Sequence, residues 1–193
     1  MLIKRITTDA SAGGARAKEQ QMKKIILSAI GLMAMSGWAE AHTGHGATGF
    51  MHGLIHPFSG YDHIIAMVAV GLFAAIIGGR ARYLVPLSFV AMMMAGAALA
   101  LSGFELPFVE TGITASMFVL GGVVLLRWHA PVVVAMALCG FFAVFHGFAH
   151  GAEMPVETTG FEYAAGFVIA TVMLHALGLA AGLAMFKRLP QAA

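Results

Sequence analysis

The sequence predicts an all-α membrane protein, a polytopic bundle of about five transmembrane helices behind a cleaved signal peptide. Three observations carry that expectation. The 193 residues are 60% hydrophobic and only 10% charged, against about 45–50% and about 25% in a soluble domain. The mean hydropathy is +0.86. The apolar residues gather into long runs separated by short polar connections, and the later charges segregate by sign between alternate connections.

The first element is a leader. Met22-Lys23-Lys24 precedes the apolar run Ile25 to Trp38, and Ala39-Glu40-Ala41 follows. A basic segment, a short apolar segment and a small-x-small triplet make a signal peptide. The apolar run falls short of the roughly 20 residues a membrane span needs. Residues 22–41 are therefore expected to be a signal peptide cleaved after Ala41. Residues 1–21, polar and unpatterned, read as an N-terminal extension ahead of a start at Met22. An uncleaved signal anchor is the competing account. Residues 42–56 become a periplasmic, histidine-containing leader, residues 57–186 the helical bundle, and residues 187–193 a cytoplasmic tail.

The spans follow in order. The first runs from near Pro57 to Gly79, the second from Leu84 to Ser102 and the third from about Thr111 to Leu126. The fourth runs from Pro131 to about His150 and the fifth from about Phe161 to Phe186. A backbone in hydrocarbon must satisfy its own hydrogen bonds, so these runs are helices. They lack the alternation of barrel strands. Short connections imply that sequential helices run antiparallel.

Charge sets the orientation. Arg80, Arg82, Arg127, Lys187 and Arg188 all fall on one side if the mature N-terminus is outside. By the positive-inside rule that side is the cytoplasm. Asp62, Glu105, Glu110, Glu153, Glu157 and Glu162 then lie at or near the periplasmic face. The chain is thus expected in a bacterial inner membrane, with the lipid bilayer as its solvent. Few basic residues remain for a nucleic-acid surface. The single cysteine, Cys139, excludes an intrachain disulfide and a cysteine-rich zinc site. Gly178-Leu-Ala-Ala-Gly182 permits close helix approach, either within the bundle or in a homo-oligomer.

Nine histidines carry the chemical signal. Ionisable groups inside a bilayer usually face a bundle interior or a watery path, and neutral imidazole is the commonest metal ligand. His56-Pro57-Phe58-Ser59-Gly60-Tyr61-Asp62-His63 opens the first span. Pro57 suits a first helical position. A helix starting there puts Asp62 and His63 about one and a half turns inside, with His56 on the same face and Met67 one turn below. Imidazole, carboxylate and thioether together suit a late first-row divalent cation.

His146-Gly147-Phe148-Ala149-His150-Gly151-Ala152-Glu153 closes the fourth span. His146 and His150 are stacked on one helix face, and Glu153 continues that face as a ligand or as a partner fixing an imidazole. His52-Gly-Leu-Ile-His56 echoes its spacing. His42 at the mature N-terminus is a third candidate, with its free amine and nearby His45. Glu110, opening the third span, either lines the entrance or favours the helix N-terminus. The methionines, including Met92-Met93-Met94, read as packing residues.

At these residues the chain resembles the HupE/UreJ family of bacterial nickel permeases and hydrogenase or urease accessory proteins. The resemblance rests on His56-Pro57-x-x-Gly60-x-Asp62-His63, with Met67, Val70 and Gly71 following, and on Phe145-His146-Gly147-x-Ala149-His150-Gly151-x-Glu153. It covers essentially the whole mature chain. It implies a non-enzymatic role, with His56, Asp62, His63, Glu110 and Glu153 as functional positions. It also implies Ni2+ as the transported ion, Co2+ as the alternative, no organic cofactor, and urease or hydrogenase maturation machinery as the indirect partner.

No Gly-x4-Gly-Lys-Ser/Thr pattern occurs, so the chain is not expected to hydrolyse ATP. The competing readings are a haem-binding electron-transfer subunit, or a metalloenzyme, accessory protein or sensor that does not transport. The charge pattern makes a direct prediction: reporter fusions after Ala193 should be active only in the cytoplasm. Periplasmic activity would overturn the span count.

Overall fold

The computed structural model describes residues 49–154 and 160–186. The expected extension, signal peptide, His42, His45, Glu157 and the tail from residue 187 lie outside the described residues. Those described form six helices and no strand: α1 Phe50–Ser59, α2 Tyr61–Ile77, α3 Ala81–Leu101, α4 Val109–Leu125, α5 Val132–Ala152 and α6 Gly160–Phe186. The protein is an all-α bundle of apolar helices, as its composition requires.

Three segments, Ala81–Leu101, Val132–Ala152 and Gly160–Met185, are long and apolar enough to cross a membrane. A fourth candidate is the pair α1 and α2, bent by 87°. α4 is equally apolar but has 17 residues. At about 1.5 Å per residue it reaches about 25 Å, short of a hydrocarbon core of about 30 Å. The expected third span is thus the weakest by length.

The expected first span differs most from the structure. Pro57 does not start a helix; it lies inside α1, buried, two residues before the end. The break comes at Gly60, whose backbone is extended at φ −113° and ψ 127°. The Ser59 hydroxyl donates to the His56 carbonyl at 2.6 Å, satisfying an acceptor near the end of α1. Asp62 and His63 therefore sit in the first turn of α2 instead of deep inside one continuous helix. A first-turn carboxylate also suits the positive end of the helix dipole.

The bundle packs mainly through non-sequential partners. α5 lies along α3, and α6 packs against both α1 and α2, while α4 contacts α2 and α5. Glycine makes the closest of these approaches. A Cβ on Gly147 would overlap the Met93 carbonyl of α3, and one on Gly53 would overlap the Tyr163 carbonyl of α6. α2 and α6 cross where Gly71 meets the His175 backbone and Gly178 meets the Val68 backbone. Gly178 is thus used within the chain. Without a hydrophobic drive between helices in lipid, such backbone proximity is a main source of packing energy.

The core contains Met67, Val70, Phe73, Val85, Phe89, Met93 and Leu120, all with almost no exposure. The methionine triplet divides, because successive helical residues point different ways: Met93 is buried while Met92 and Met94 are exposed. The Phe73 and Trp128 rings stack at 6.2 Å near the opposite end of the bundle from His56 and His150.

The glycine contacts are open to test. Gly147→Ala should force α5 from α3 and cost about 1–3 kcal/mol of stability. Gly121→Ala, where a Cβ meets nothing within 4 Å, should leave the melting temperature unchanged or raise it. Equal melting temperatures for the two purified variants would contradict this account.

Candidate metal centre

The two histidine segments distant in sequence come together at one end of the bundle. The bend at Gly60 turns α1 back over the start of α2, so His56 and His63 face the same space from different helices. Their ring centroids are 6.4 Å apart. α5 contributes His146 and His150 from two successive turns. The His150 ring lies 4.8 Å from His56 and 4.5 Å from His63, and His63 lies 5.1 Å from His146.

Two donor groups result among the described residues. One joins His63, His146 and His150; the other joins His56, His150 and Glu153. Within each, one donor atom per residue lies within 4.8 Å of the others. Metal–nitrogen bonds of about 2.0–2.1 Å would draw such atoms closer. His150 belongs to both groups.

Hydrogen bonds decide which nitrogen each imidazole offers. His63 Nδ1–H donates to Asp62 Oδ1 at 2.7 Å, and the His63 backbone N–H donates to the same oxygen at 2.9 Å. That leaves His63 Nε2 with its lone pair, buried and without a hydrogen-bond partner. The Ser116 hydroxyl donates to the Ile113 carbonyl at 2.6 Å, so its oxygen accepts from His146 Nε2–H at 2.9 Å. His146 Nδ1 is then the lone-pair nitrogen, and it too is buried without a partner. Both nitrogens of His150 are buried and unpartnered. Orphaned polar atoms are rare in folded proteins and call for an explanation. A coordinated cation supplies one, because it needs the lone pairs that hydrogen bonds leave over.

Local packing holds this arrangement. Gly60 leaves room for the Asp62–His63 pair, since a Cβ there would crowd Asp62 Oδ1 and His63 Nδ1. Gly147, next to His146, seats α5 on α3. The Phe167 ring lies 4.1 Å from that of His150 and blocks it on the α6 side. His52, which shares the His-Gly-x-x-His spacing, instead packs its ring 5.7 Å from Tyr163 and joins neither donor group.

Charge concentrates at the outer group. Glu153 caps α5 beyond its last helical residue, with Oε2 3.5 Å from His56 Nε2. The hydrogen bond with His56 holds its carboxyl below the usual carboxylate range, despite partial burial. Glu153 therefore stays anionic at neutral pH. Side-chain exposure falls from 56% at Glu153 to 19% at His56 and 12% at His63. His146 and His150 are essentially inaccessible.

The sequence-predicted residues divide accordingly. His56, His63, His146, His150 and Glu153 converge as donors. Asp62 falls in the role of a partner to His63, outside both donor groups. Met67 is fully buried in the apolar core one turn below His63. Glu110 is exposed in the first turn of α4 and joins neither group. Ser116 and Phe167 were not anticipated. Ser116 is one of three hydroxyl residues in an apolar helix, with Thr111 and Thr114, and its meeting with His146 across 30 positions distinguishes it.

The model of the HupE / UreJ protein family matches residues 30–193. Protein HupE of Rhizobium leguminosarum bv. viciae is 44% identical over 162 residues, covering 84% of each chain. No solved structure matches.

Ser116 gives the sharpest prediction for this centre. Ser116→Ala frees the tautomer and orientation of His146, and should weaken divalent-cation affinity about 10–100-fold. Calorimetric titration of the purified protein with NiCl2 measures it. An affinity equal to that of the unaltered protein would remove the hydroxyl from the centre.

Proposed function

The chain belongs to the HupE / UreJ family, and on that premise we propose that it is a secondary nickel permease. It carries Ni2+ from periplasm to cytoplasm without hydrolysing ATP, and so supplies hydrogenase or urease maturation. It sits in the bacterial inner membrane with its N-terminus outside and its C-terminus inside. The observation that carries this reading is the pair of donor groups sharing His150.

A resident structural metal needs one closed ligand shell. A transported ion needs successive shells of limited strength, since conduction requires release as well as capture. Two overlapping triads along a gradient of burial suit the second task. Glu153 and His56, the more exposed donors, capture the ion. The Glu153 charge offsets part of the hydration lost on entry, which three neutral imidazoles would not. A neutral imidazole has one lone pair, so His150 serves one triad at a time. Turning its lone pair from His56 and Glu153 toward His63 and His146 passes the ion inward. Asp62 then acts through His63, raising the basicity of the imidazole and fixing its ligating nitrogen.

The donor set of imidazoles and one carboxylate suits nickel and disfavours magnesium or calcium, which take oxygen ligands. It serves cobalt by the same chemistry, so the two ions compete at one centre.

Uptake of radioactive nickel into cells lacking other nickel permeases tests the proposal. Asp62→Asn keeps size, removes charge and unsettles the His63 tautomer. It should abolish accumulation while protein in the membrane stays near normal; accumulation at the unaltered rate would sink the reading. Protons compete with metal for imidazole lone pairs, so uptake should fall when the external medium is acidified. A rate that rises on acidification would also contradict the assignment.

A further inference from the structure

His175 lies in α6, outside both donor groups, and nothing in the centre described so far uses it. It is 3% exposed, and both ring nitrogens are buried without a hydrogen-bond partner. A polar group in that condition is costly, most of all in a membrane helix, where such residues usually mark a path for ions. Its surroundings are specific. The Phe89 ring of α3 is fully buried, 5.1 Å from His175 and perpendicular to it, and 5.8 Å from His146. One aromatic ring therefore touches both the buried end of the metal centre and a second unpartnered imidazole. One turn along each helix, Thr171 and Met93 meet, with Thr171 Oγ1 3.9 Å from Met93 Sδ. Both are buried. A hydroxyl and a thioether thus pair one helical turn away from the imidazole.

We propose that His175 is a further binding station for the transported divalent cation, and that Phe89 is the barrier separating it from the donors His63, His146 and His150. This rests on the transport reading above. The ligand class is a late first-row divalent cation, matched by imidazole nitrogen with a thioether and a hydroxyl at hand. Phe89 supplies no ligand. Its ring closes the direct route between the two stations, and a rotamer change opens it. The dry ring keeps water and smaller hydrated ions from passing with the metal, as apolar constrictions do in channels. The close crossing of α2 and α6 at Gly71 holds the His175 backbone in place, so movement falls to the side chains.

The test uses the full-length protein reconstituted in liposomes, with Cys139→Ala as background. His175→Ala should lower the initial rate of nickel uptake about tenfold or more, as loss of a metal ligand does. His175→Cys, which still offers a soft ligand, should retain more activity than His175→Ala. A rate for His175→Ala equal to the background protein overturns the proposal. If His175→Ala does not accumulate in the membrane, His175→Gln of similar size replaces it with the same expected loss.

A second measurement does not depend on transport. The thiol of His175→Cys should react with a small water-soluble methanethiosulfonate, and NiCl2 should slow the reaction. Adding Phe89→Ala should speed labelling from the periplasmic side. A thiol that never reacts, or reacts without nickel protection, shows that the ion does not reach position 175. Unchanged labelling with Phe89→Ala removes the barrier. If the background protein imports no nickel, the transport reading fails by itself, while nickel protection of the thiol still decides whether position 175 binds the cation.

Discussion

Hydrocarbon offers no hydrogen bonds, and that constraint governs everything else in this bundle. Every backbone group must be satisfied within its own helix, and every buried imidazole must find a partner in protein or remain costly. The backbone obeys the first demand through continuous helices. The histidines only partly obey the second. His63 and His146 each bond through one nitrogen and leave the other free, while His150 and His175 leave both free. A chain selected only for stability would replace such residues with leucine or phenylalanine. In the proposed function, a cation accounts for these unpartnered nitrogens in the most buried part of the molecule.

The convergence of these rings depends on backbone contacts that only glycine permits. Gly147 follows His146 and touches Met93 of α3; Gly53 follows His52 and touches Tyr163 of α6. The His-Gly-x-x-His echo thus has a structural basis. In both segments glycine seats the helix against a neighbour, and the histidine four residues after the first reaches the centre. In α5 both histidines do so, because His146 also meets Ser116. In α1 only His56 does, because His52 lies against Tyr163. Gly60 acts differently. It lets the chain bend and makes space for the Asp62–His63 pair, turning one hydrophobic run into two helices that approach the same point.

The shared His150 links structure to the proposed mechanism. Its neighbours on one side are His56 and the anionic Glu153; on the other are His63 and His146. A ring in that position favours exchange between weakly held states over tight storage. The gradient of exposure from Glu153 to His146 gives the exchange a direction, from solvent inward. As proposed, His175 extends the same logic beyond Phe89, away from the carboxylates of the described residues.

Much of this was legible in the residues themselves. Composition dictated an all-α membrane bundle, because so few charges cannot clothe a soluble surface. Periodic position and residue type singled out His56, His63, His146, His150 and Glu153, because imidazoles and carboxylates in apolar helices are too costly to be incidental. Tertiary structure decided the rest. Hydropathy could not reveal the angle at Gly60, since the polar stretch from His56 to His63 fits the polar start of one straight helix as well as a bend between two, and bending leaves composition unchanged. It could not separate Asp62, bonded to His63, from the donors, because hydrogen-bond geometry decides that role. Nor could it link Ser116 to His146 or Phe89 to both His146 and His175. Those pairings arise where helices distant in sequence cross, and crossing points are set by three-dimensional packing, not by the order of residues along one chain.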